Sequence, residues 1–164
     1  MLRFLSPTLA LCALMLTSCA STTPVASKTL KSTRIPAVRT TAYTHSESDH
    51  IVYGNDNALG GDLKYGNVRS AAADWSVYPV GTIFQIEGTP HVYQVDDYGS
   101  ALVGTNTIDL YKPSRSEMNQ WGVRKVNIRV LRWGSFSKSL AILKPRSKWN
   151  HVDKMVDRIE RKKM

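Results

Sequence analysis

Alternation between apolar and polar positions is strongest in the middle of the chain, where it predicts β-strands. Thr82–Glu87 and His91–Asp97 are two such runs, and Gly88-Thr89-Pro90 between them is typical of a hairpin turn. Val123–Trp133 alternates over a longer stretch, and Ala37–Thr44 alternates more weakly. Short strands joined by glycine-rich turns favour a sheet that closes on itself, so the pattern predicts a mainly β protein built on a barrel.

One helix is well marked inside this β-rich region. Ser114 precedes Glu117 by three positions, which is the capping-box pattern of a helix N-terminus. Met118 and Trp121 would then face the core, and Gly122 would end the helix. The sequence therefore predicts one short helix close to residues 114–120.

A second helical pattern lies at the C-terminal end, in residues 144–164. Apolar residues recur there at helical spacing: Trp149, Val152, Val156 and Ile159. Basic residues occupy the other positions and the end: Lys154, Arg158, Arg161, Lys162 and Lys163. This pattern predicts a basic amphipathic helix, which either packs on the barrel with a solvated basic face or contacts an anionic surface.

The first residues have the pattern of a secretory signal. Arg3 is followed by a short apolar run through Leu16, which is too short and too abruptly ended for a stable membrane span. Leu16-Thr17-Ser18-Cys19 resembles the bacterial lipobox, in which the cysteine is lipidated and becomes the new N-terminus. We expect residues 1–18 to be a lipoprotein signal peptide; the alternative is an ordinary signal peptide with an incidental cysteine.

Removal of that signal would take Cys12 away and leave Cys19 as the only cysteine of the mature chain. A disulfide framework and a thiolate metal site are then excluded, and acyl chains on Cys19 would hold the protein on a membrane. Residues 19–34 are rich in serine, threonine and small residues and predict a flexible tether. Ala20 is not aspartate, which by the usual sorting rule for lipoproteins favours the outer membrane, facing the periplasm.

The remaining chain divides into a β-barrel domain at residues 35–143 and the basic tail at residues 144–164. The formal net charge is +9, and removal of residues 1–18 takes away one arginine and no acid, which leaves +8. Positive charge suits an anionic partner such as cell-wall polymer or anionic lipid. A secreted lipoprotein makes nucleic acid an unsuitable partner, and no motif in the sequence indicates a cofactor.

Three aspartates, Asp74, Asp97 and Asp109, each lie in a context marked by glycine or proline. Ile108 and Leu110 flank Asp109 in a strand pattern, so the apolar pair can fill a core while Asp109 faces a cleft. Partial burial there is expected to raise the pKa of Asp109 above its reference of about 3.9, as a general acid requires. Each aspartate also has a structural interpretation: Asp109 as a strand anchor, Asp97 as an Asx-type turn, and Asp74 as a brace of its loop.

The order of these motifs resembles the three-aspartate (3D) domain, the core of the membrane-bound lytic transglycosylase A family. The segments that carry the resemblance follow one another as RSAAADW (Arg69–Trp75), PVGT (Pro79–Thr82), DDYGSALVG (Asp96–Gly104), TIDLY (Thr107–Tyr111) and WGVRKVNIRVL (Trp121–Leu131). The resemblance implies a six-stranded double-psi β-barrel with one short helix, to which the C-terminal basic helix is added. Two departures are present: the loop at Gly104–Asn106 is one residue longer than usual, and the larger additional domain of the transglycosylases is missing.

The resemblance also implies an activity on the glycan strands of peptidoglycan. Asp109 matches the position of the family's catalytic acid, Asp97 would assist it by charge or position, and Asp74 is the third candidate at the rim of the cleft. Aromatic residues near these acids could bind sugar rings: Tyr43, Trp75, Tyr98 and Tyr111. Two alternatives remain open, a non-catalytic wall-binding or structural lipoprotein and a glycan hydrolase that uses Asp97 and Asp109 as an acid/base pair.

A long polar loop precedes the barrel motifs, from Ser46 to about Gly66. His45, Asp49 and His50 are potential ligands there, but their spacing matches no standard metal site, so we expect no metal. Loops of this length in compact domains are usually functional or mobile, and we interpret this one as the rim of a substrate cleft.

Overall fold

A computed structural model describes residues 32–47 and 52–162, and it contains six β-strands that close into a barrel. The strands are β1 (Thr33–Tyr43), β2 (Val68–Ala73), β3 (Ile83–Ile86), β4 (Val92–Asp97), β5 (Thr107–Tyr111) and β6 (Arg124–Arg132). The α-helices are α1 (Arg115–Trp121), α2 (Phe136–Leu143) and α3 (Asn150–Arg161), with short 3-10 helices at Ser100–Leu102 and Lys144–Arg146. The predicted fold class, a mainly β six-stranded barrel, is confirmed.

The strand order around the barrel is β1-β5-β2-β4-β3-β6, so most neighbours in space are distant in sequence. The pairs β1–β5 and β2–β4 are parallel, whereas the other four pairs are antiparallel. The predicted hairpin is present as the antiparallel pair β3–β4, and Gly88 in its turn adopts a φ of +80°, which residues other than glycine rarely tolerate.

Inward-facing side chains of all six strands fill the barrel. Ile108 and Leu110 are fully buried, as the alternation in β5 predicts, while Thr107, Asp109 and Tyr111 point to the other face. The largest core side chains come from several strands and loops: Trp75, Tyr78, Phe84, Ile86, Tyr93 and Ile128. The barrel interior is therefore a packed core and leaves the outer face for function.

Helix α1 forms as the capping box predicts. The Ser114 hydroxyl accepts a hydrogen bond from the Glu117 backbone N–H at 3.2 Å and donates one to the Glu117 carboxylate at 3.0 Å. Gly122 ends the helix at φ +60°, and its N–H donates to the Met118 carbonyl oxygen. These local contacts fix where the chain turns from β5 back into β6.

Two helices follow β6 and pack together on the barrel. Helix α2 is not predicted by the sequence pattern; it is stabilised by Ser135 as its N-cap and by burial of Leu140 and Leu143. Helix α3 confirms the predicted tail helix, with Val152, Val156 and Ile159 buried.

The buried face of α3 differs from the predicted stripe at two positions. Met155 is fully buried and belongs to it, whereas Trp149 is 57 % exposed and lies just before the first turn of α3. Helical spacing alone predicts Trp149 on the buried face. The helix begins one residue later, at Asn150, so Trp149 does not lie on that face.

Cys12, Cys19, Asp49 and His50 lie outside the described residues, as do the predicted signal peptide and most of the tether. Across residues 32–47 and 52–162, every helix is too short or too polar to cross a bilayer. In the same ranges, no group of three or more histidine, cysteine, aspartate or glutamate side chains is arranged to hold a metal ion.

Candidate functional site

A single row of residues crosses four neighbouring strands and carries two of the predicted aspartates. Thr41 on β1 pairs with Asp109 on β5, Asp109 pairs with Ala72 on β2, and Ala72 pairs with Asp97 on β4. Residues paired across neighbouring strands face the same side of the sheet, so both aspartates lie on the outer face with the small Ala72 between them. Two strand spacings place their Cα atoms about 10 Å apart.

A β-bulge in β4 turns the Asp97 side chain towards the outer face of the barrel. Ala71 pairs with Val95, but the next residue, Ala72, pairs with Asp97, so Asp96 is an extra residue in the ladder. Without the bulge, Asp97 would lie on the same side as Val95, which is fully buried in the core. The extra residue thus moves the Asp97 carboxylate from the interior to the outer face.

Fixed donors hold both carboxylates. The Thr41 hydroxyl donates to Asp109 Oδ1 at 2.6 Å. The Tyr43 hydroxyl donates to Asp97 Oδ2 at 3.1 Å, and the Tyr98 backbone N–H donates to Asp97 Oδ1 at 2.9 Å. Asp97 is 7 % exposed, whereas Asp109 is only half-buried, so Asp109 is the more accessible of the two acids.

Tyr43 lies among three carboxylates. Its burial, and then the negative charges of Asp97, Asp96 and Asp109, raise the pKa of the Tyr43 hydroxyl well above its usual value. Tyr43 therefore remains protonated at physiological pH and acts as a hydrogen-bond donor to Asp97. Because Tyr43 is 8 % exposed, it supports an acid more readily than it offers a ring to a ligand.

Asp96 is a third acid on this face that the sequence analysis did not single out. Its side chain is fully buried and accepts hydrogen bonds from the Ser70 hydroxyl at 2.9 Å and from the Lys64 ammonium at 3.1 Å. Burial raises the pKa of Asp96, and the hydrogen bonds from Ser70 and Lys64 oppose that rise. The doublet Asp96-Asp97 at the end of a strand was the available sequence signal, because a bulge can turn both side chains the same way.

Aromatic side chains border the row at the β5 end. Tyr111 is 4 % exposed, and its ring contacts Tyr43 edge-on at 5.7 Å and Tyr65 edge-on at 6.4 Å between centroids. Its hydroxyl lies 2.9 Å from His45 Nδ1 and donates to Asn55 Oδ1 at 3.3 Å. The loop that was interpreted as a cleft rim therefore contacts the site through Asn55 and Tyr65.

Trp75 and Tyr98 hold the backbone at Asp97 in place from the core side. Trp75 is fully buried, and its indole N–H donates to the Asp97 carbonyl oxygen at 2.8 Å. The Tyr98 ring packs edge-on against Trp75 at 4.9 Å, and its hydroxyl contacts Arg146 at 3.4 Å. The sequence predicts both as substrate-binding residues. Their contacts place Trp75 in the core and Tyr98 against Arg146 of the C-terminal segment.

Asp74 points away from the other two predicted acids, towards α3. Its carboxylate accepts hydrogen bonds from the Ser76 backbone N–H and hydroxyl and from the Gly104 N–H, and it forms an ion pair with Arg158 at 3.0 Å. Asp74 is 1 % exposed. These contacts correspond to the bracing interpretation, since they tie the end of β2 to a loop and to the tail helix.

The fold and the site together define a small closed β-barrel protein whose outer face carries a group of three carboxylates. Residues 69–132, from β2 to the end of β6, match the family model described as the 3D domain. This segment of the chain is therefore similar to the 3D domain, and it supplies five of the six strands of the closed barrel.

Two proteins of Bacillus subtilis (strain 168) are similar to this chain. The cell wall-binding protein YocH is 36 % identical over 95 residues, which are 57 % of this chain and 31 % of YocH. YabE, provisionally named a cell wall shaping protein, is 35 % identical over 109 residues, which are 65 % of this chain and 26 % of YabE. The chain thus spans less than a third of the length of either relative.

Proposed function

We propose that this protein acts on the glycan strands of peptidoglycan in the bacterial cell envelope. The observation that carries the proposal is the row Thr41, Asp109, Ala72 and Asp97, which presents two carboxylates on one outer face with a small residue between them. The 3D domain and the wall-related names of both relatives support this substrate. The same relatives support a location outside the cytoplasm.

The chemistry that fits this arrangement is cleavage of the lytic transglycosylase type. Asp109, half-buried and held by Thr41, would protonate the glycosidic oxygen as the bond to the anomeric carbon breaks. The sugar's own 6-hydroxyl would then attack that carbon, and the Asp109 carboxylate would take the hydroxyl proton. Because no water needs to be activated, one acid can serve both steps, unlike the two-carboxylate hydrolases.

Asp97 would stabilise the positive charge that develops on the sugar ring. The Tyr43 hydroxyl and the Tyr98 backbone N–H each donate to one carboxylate oxygen of Asp97, and they fix its position before the substrate arrives. Tyr65 borders this row, is half-buried and offers an aromatic edge to a neighbouring sugar, whereas Tyr111, at 4 % exposed, packs beneath it. In this proposal Tyr43, Trp75 and Tyr98 position Asp97.

A second candidate function is binding of peptidoglycan without cleavage. It is favoured by the similarity to YocH, a cell wall-binding protein. It is also favoured by the depth of Asp97, which is 7 % exposed. The same outer face would then hold glycan strands, and the acids would serve as hydrogen-bond acceptors for sugar hydroxyls.

Incubation of the purified protein with peptidoglycan, followed by mass analysis of the soluble fraction, distinguishes these functions. Products that end in anhydro-sugar are the expected result, and products with ordinary reducing ends would instead indicate the hydrolase that uses Asp97 and Asp109 as a pair. Binding to the insoluble polymer without any product would establish the second candidate. Neither binding nor product would overturn the proposal.

We further propose that the protein is anchored to a membrane, facing the periplasm, through lipid on Cys19. The motif Leu16-Thr17-Ser18-Cys19 supports this, and acyl chains of that kind hold a protein without a spanning helix. Cys19→Ala is expected to block processing or to release the protein from the membrane fraction. Cys12→Ala is the matched control and should change neither the mass of the mature protein nor its fractionation; a Cys19→Ala variant that behaves in the same way would contradict the anchor.

A further inference from the structure

A cluster of basic and aromatic side chains lies directly beyond the row of aspartates, where β5 ends. It consists of Arg69, Lys112 and Arg124 together with the rings of Tyr65 and Trp121. Lys112 follows Tyr111 in the chain, and the Tyr65 ring contacts the Tyr111 ring. The basic cluster and the acidic row therefore form one continuous surface.

Lys112 is the central residue of the basic cluster. It is 6 % exposed, and its ammonium lies 4.9 Å from the centre of the Trp121 ring and 5.5 Å from that of Tyr65. Within the described ranges, no carboxylate or carbonyl oxygen forms a hydrogen bond or ion pair with this ammonium. A largely enclosed ammonium with two aromatic neighbours and no carboxylate bonded to it can accept a further anion.

The neighbouring cations make the cluster more favourable for an anion. The Arg69 guanidinium lies 4.0 Å above the Tyr65 ring, and that of Arg124 lies 4.4 Å above the Trp121 ring. Burial, and then the charge of Arg69, lower the pKa of Lys112, and Arg124 lowers it further while Glu117 acts in the opposite direction. Burial, then Arg69 and Lys112, also lower the pKa of His91, which places all these groups within one positive field.

Two hydrogen-bond donors of the cluster are buried without a partner. In the part of the chain that the structure describes, Arg69 Nε and Trp121 Nε1 contact no acceptor. The nearby carboxylate of Glu117 is already used by the Ser114 hydroxyl and by the Tyr65 hydroxyl, at 3.0 and 3.2 Å. The donors and cations of the cluster thus exceed the acceptors that the described residues bring to it.

We propose that this cluster is a subsite for a carboxylate, namely that of a peptide branch on a glycan strand bound at the row of aspartates. The inference rests on the proposed function. The ammonium of Lys112, the charge of Arg69 and the unpaired Arg69 Nε and Trp121 Nε1 donors suit a carboxylate, while Arg124 adds charge but already donates to the carbonyl oxygens of Gln120 and Trp121. Lys112 lies three residues beyond Asp109, on the order of 10 Å along the strand, a span that about three residues of an extended peptide can cover.

The test measures binding of the full-length chain to three forms of peptidoglycan freed of phosphate polymers. They are the intact polymer, the polymer with its peptide carboxylates blocked as methyl amides, and glycan strands from which an amidase has removed the peptides. We expect the strongest binding to intact polymer, with a loss of about tenfold or more in both other forms, since a charge-assisted contact of this kind contributes at least that factor.

Lys112→Met, with Lys125→Met on the exposed part of β6 as the matched control, assigns that preference to the cluster. Lys112→Met should bind all three forms equally weakly, and its unfolding midpoint in urea should stay or rise because a buried charge is removed. Equal binding of the natural protein to intact and carboxylate-blocked polymer would overturn the subsite while leaving glycan binding intact. Unchanged preference in Lys112→Met would also overturn it. No binding to any form would overturn the subsite, and the absence of product as well would overturn the proposed function.

Discussion

Asp109→Asn is expected to release essentially no anhydro-sugar product from peptidoglycan. Asparagine is nearly isosteric with aspartate, and its side-chain oxygen can still accept the hydrogen bond that Thr41 donates at 2.6 Å. The fold should survive while the proton donor is lost, and removal of a general acid typically lowers the rate by about 10²–10⁴. The measurement is product release per unit time by mass analysis, with the unfolding midpoint of each variant recorded beside it.

Two further variants make this result specific to the acid. Asp97→Asn should reduce the rate less, because the donors from Tyr43 and Tyr98 can be partly accommodated by an amide and positioning is easier to replace than proton transfer. Asp153→Asn removes an exposed acid on α3 and should leave the rate unchanged. An Asp109→Asn protein as active as the natural one would remove Asp109 from the mechanism and make Asp97 the next acid to consider.

Removal of residues 146–164 is expected to destabilise the barrel by several kcal/mol. The deletion exposes the surface that α3 covers with its four buried side chains, Val152, Met155, Val156 and Ile159. Each large apolar side chain contributes about 1.5–3 kcal/mol when buried, against a total stability of roughly 5–15 kcal/mol for a typical domain. Asp74 would also lose Arg158, the cation paired with its buried carboxylate. Urea denaturation followed by tryptophan fluorescence measures the change.

A charge variant separates this packing role from a surface role of the tail. Lys154 and Arg161 are exposed on α3, and their replacement by glutamine should change the unfolding free energy by less than about 0.5 kcal/mol each. If the truncated protein keeps its stability but no longer binds anionic vesicles or peptidoglycan, the tail is a contact surface and the packing prediction is wrong.

Features that depend on neighbours in the sequence were predictable. The capping contact between Ser114 and Glu117 joins residues three positions apart, so the sequence pattern determines it almost completely. The direction of Asp109 followed from the alternation between Ile108 and Leu110, because a regular strand has a period of two. Where local geometry is regular, the sequence alone predicts which face a side chain occupies.

Features that depend on pairing between distant strands were not predictable in this way. The bulge at Asp96 arises because β4 has one more residue than β2 between two successive paired positions. The sequence of either strand by itself does not show this difference. The enclosure of Lys112 requires Tyr65, from a loop, and Trp121, from α1, to meet at the end of β5. Trp149 was misplaced because spacing gives the period of a helix but not the residue at which the helix begins.

The strand order has a consequence for how the chain acquires its structure. β1 is made first, yet both of its partners, β5 and β6, lie near the end of the barrel sequence. At synthesis rates of about 5–20 residues per second, β1 waits on the order of 5 to 20 s for β6 to be completed. For most of that interval neither edge of β1 can be covered by its native neighbour, and closure of the barrel has the slow kinetics of non-local pairing. A chain of this topology can pair β2, β3 and β4 early, but it cannot close its barrel until β6 is available.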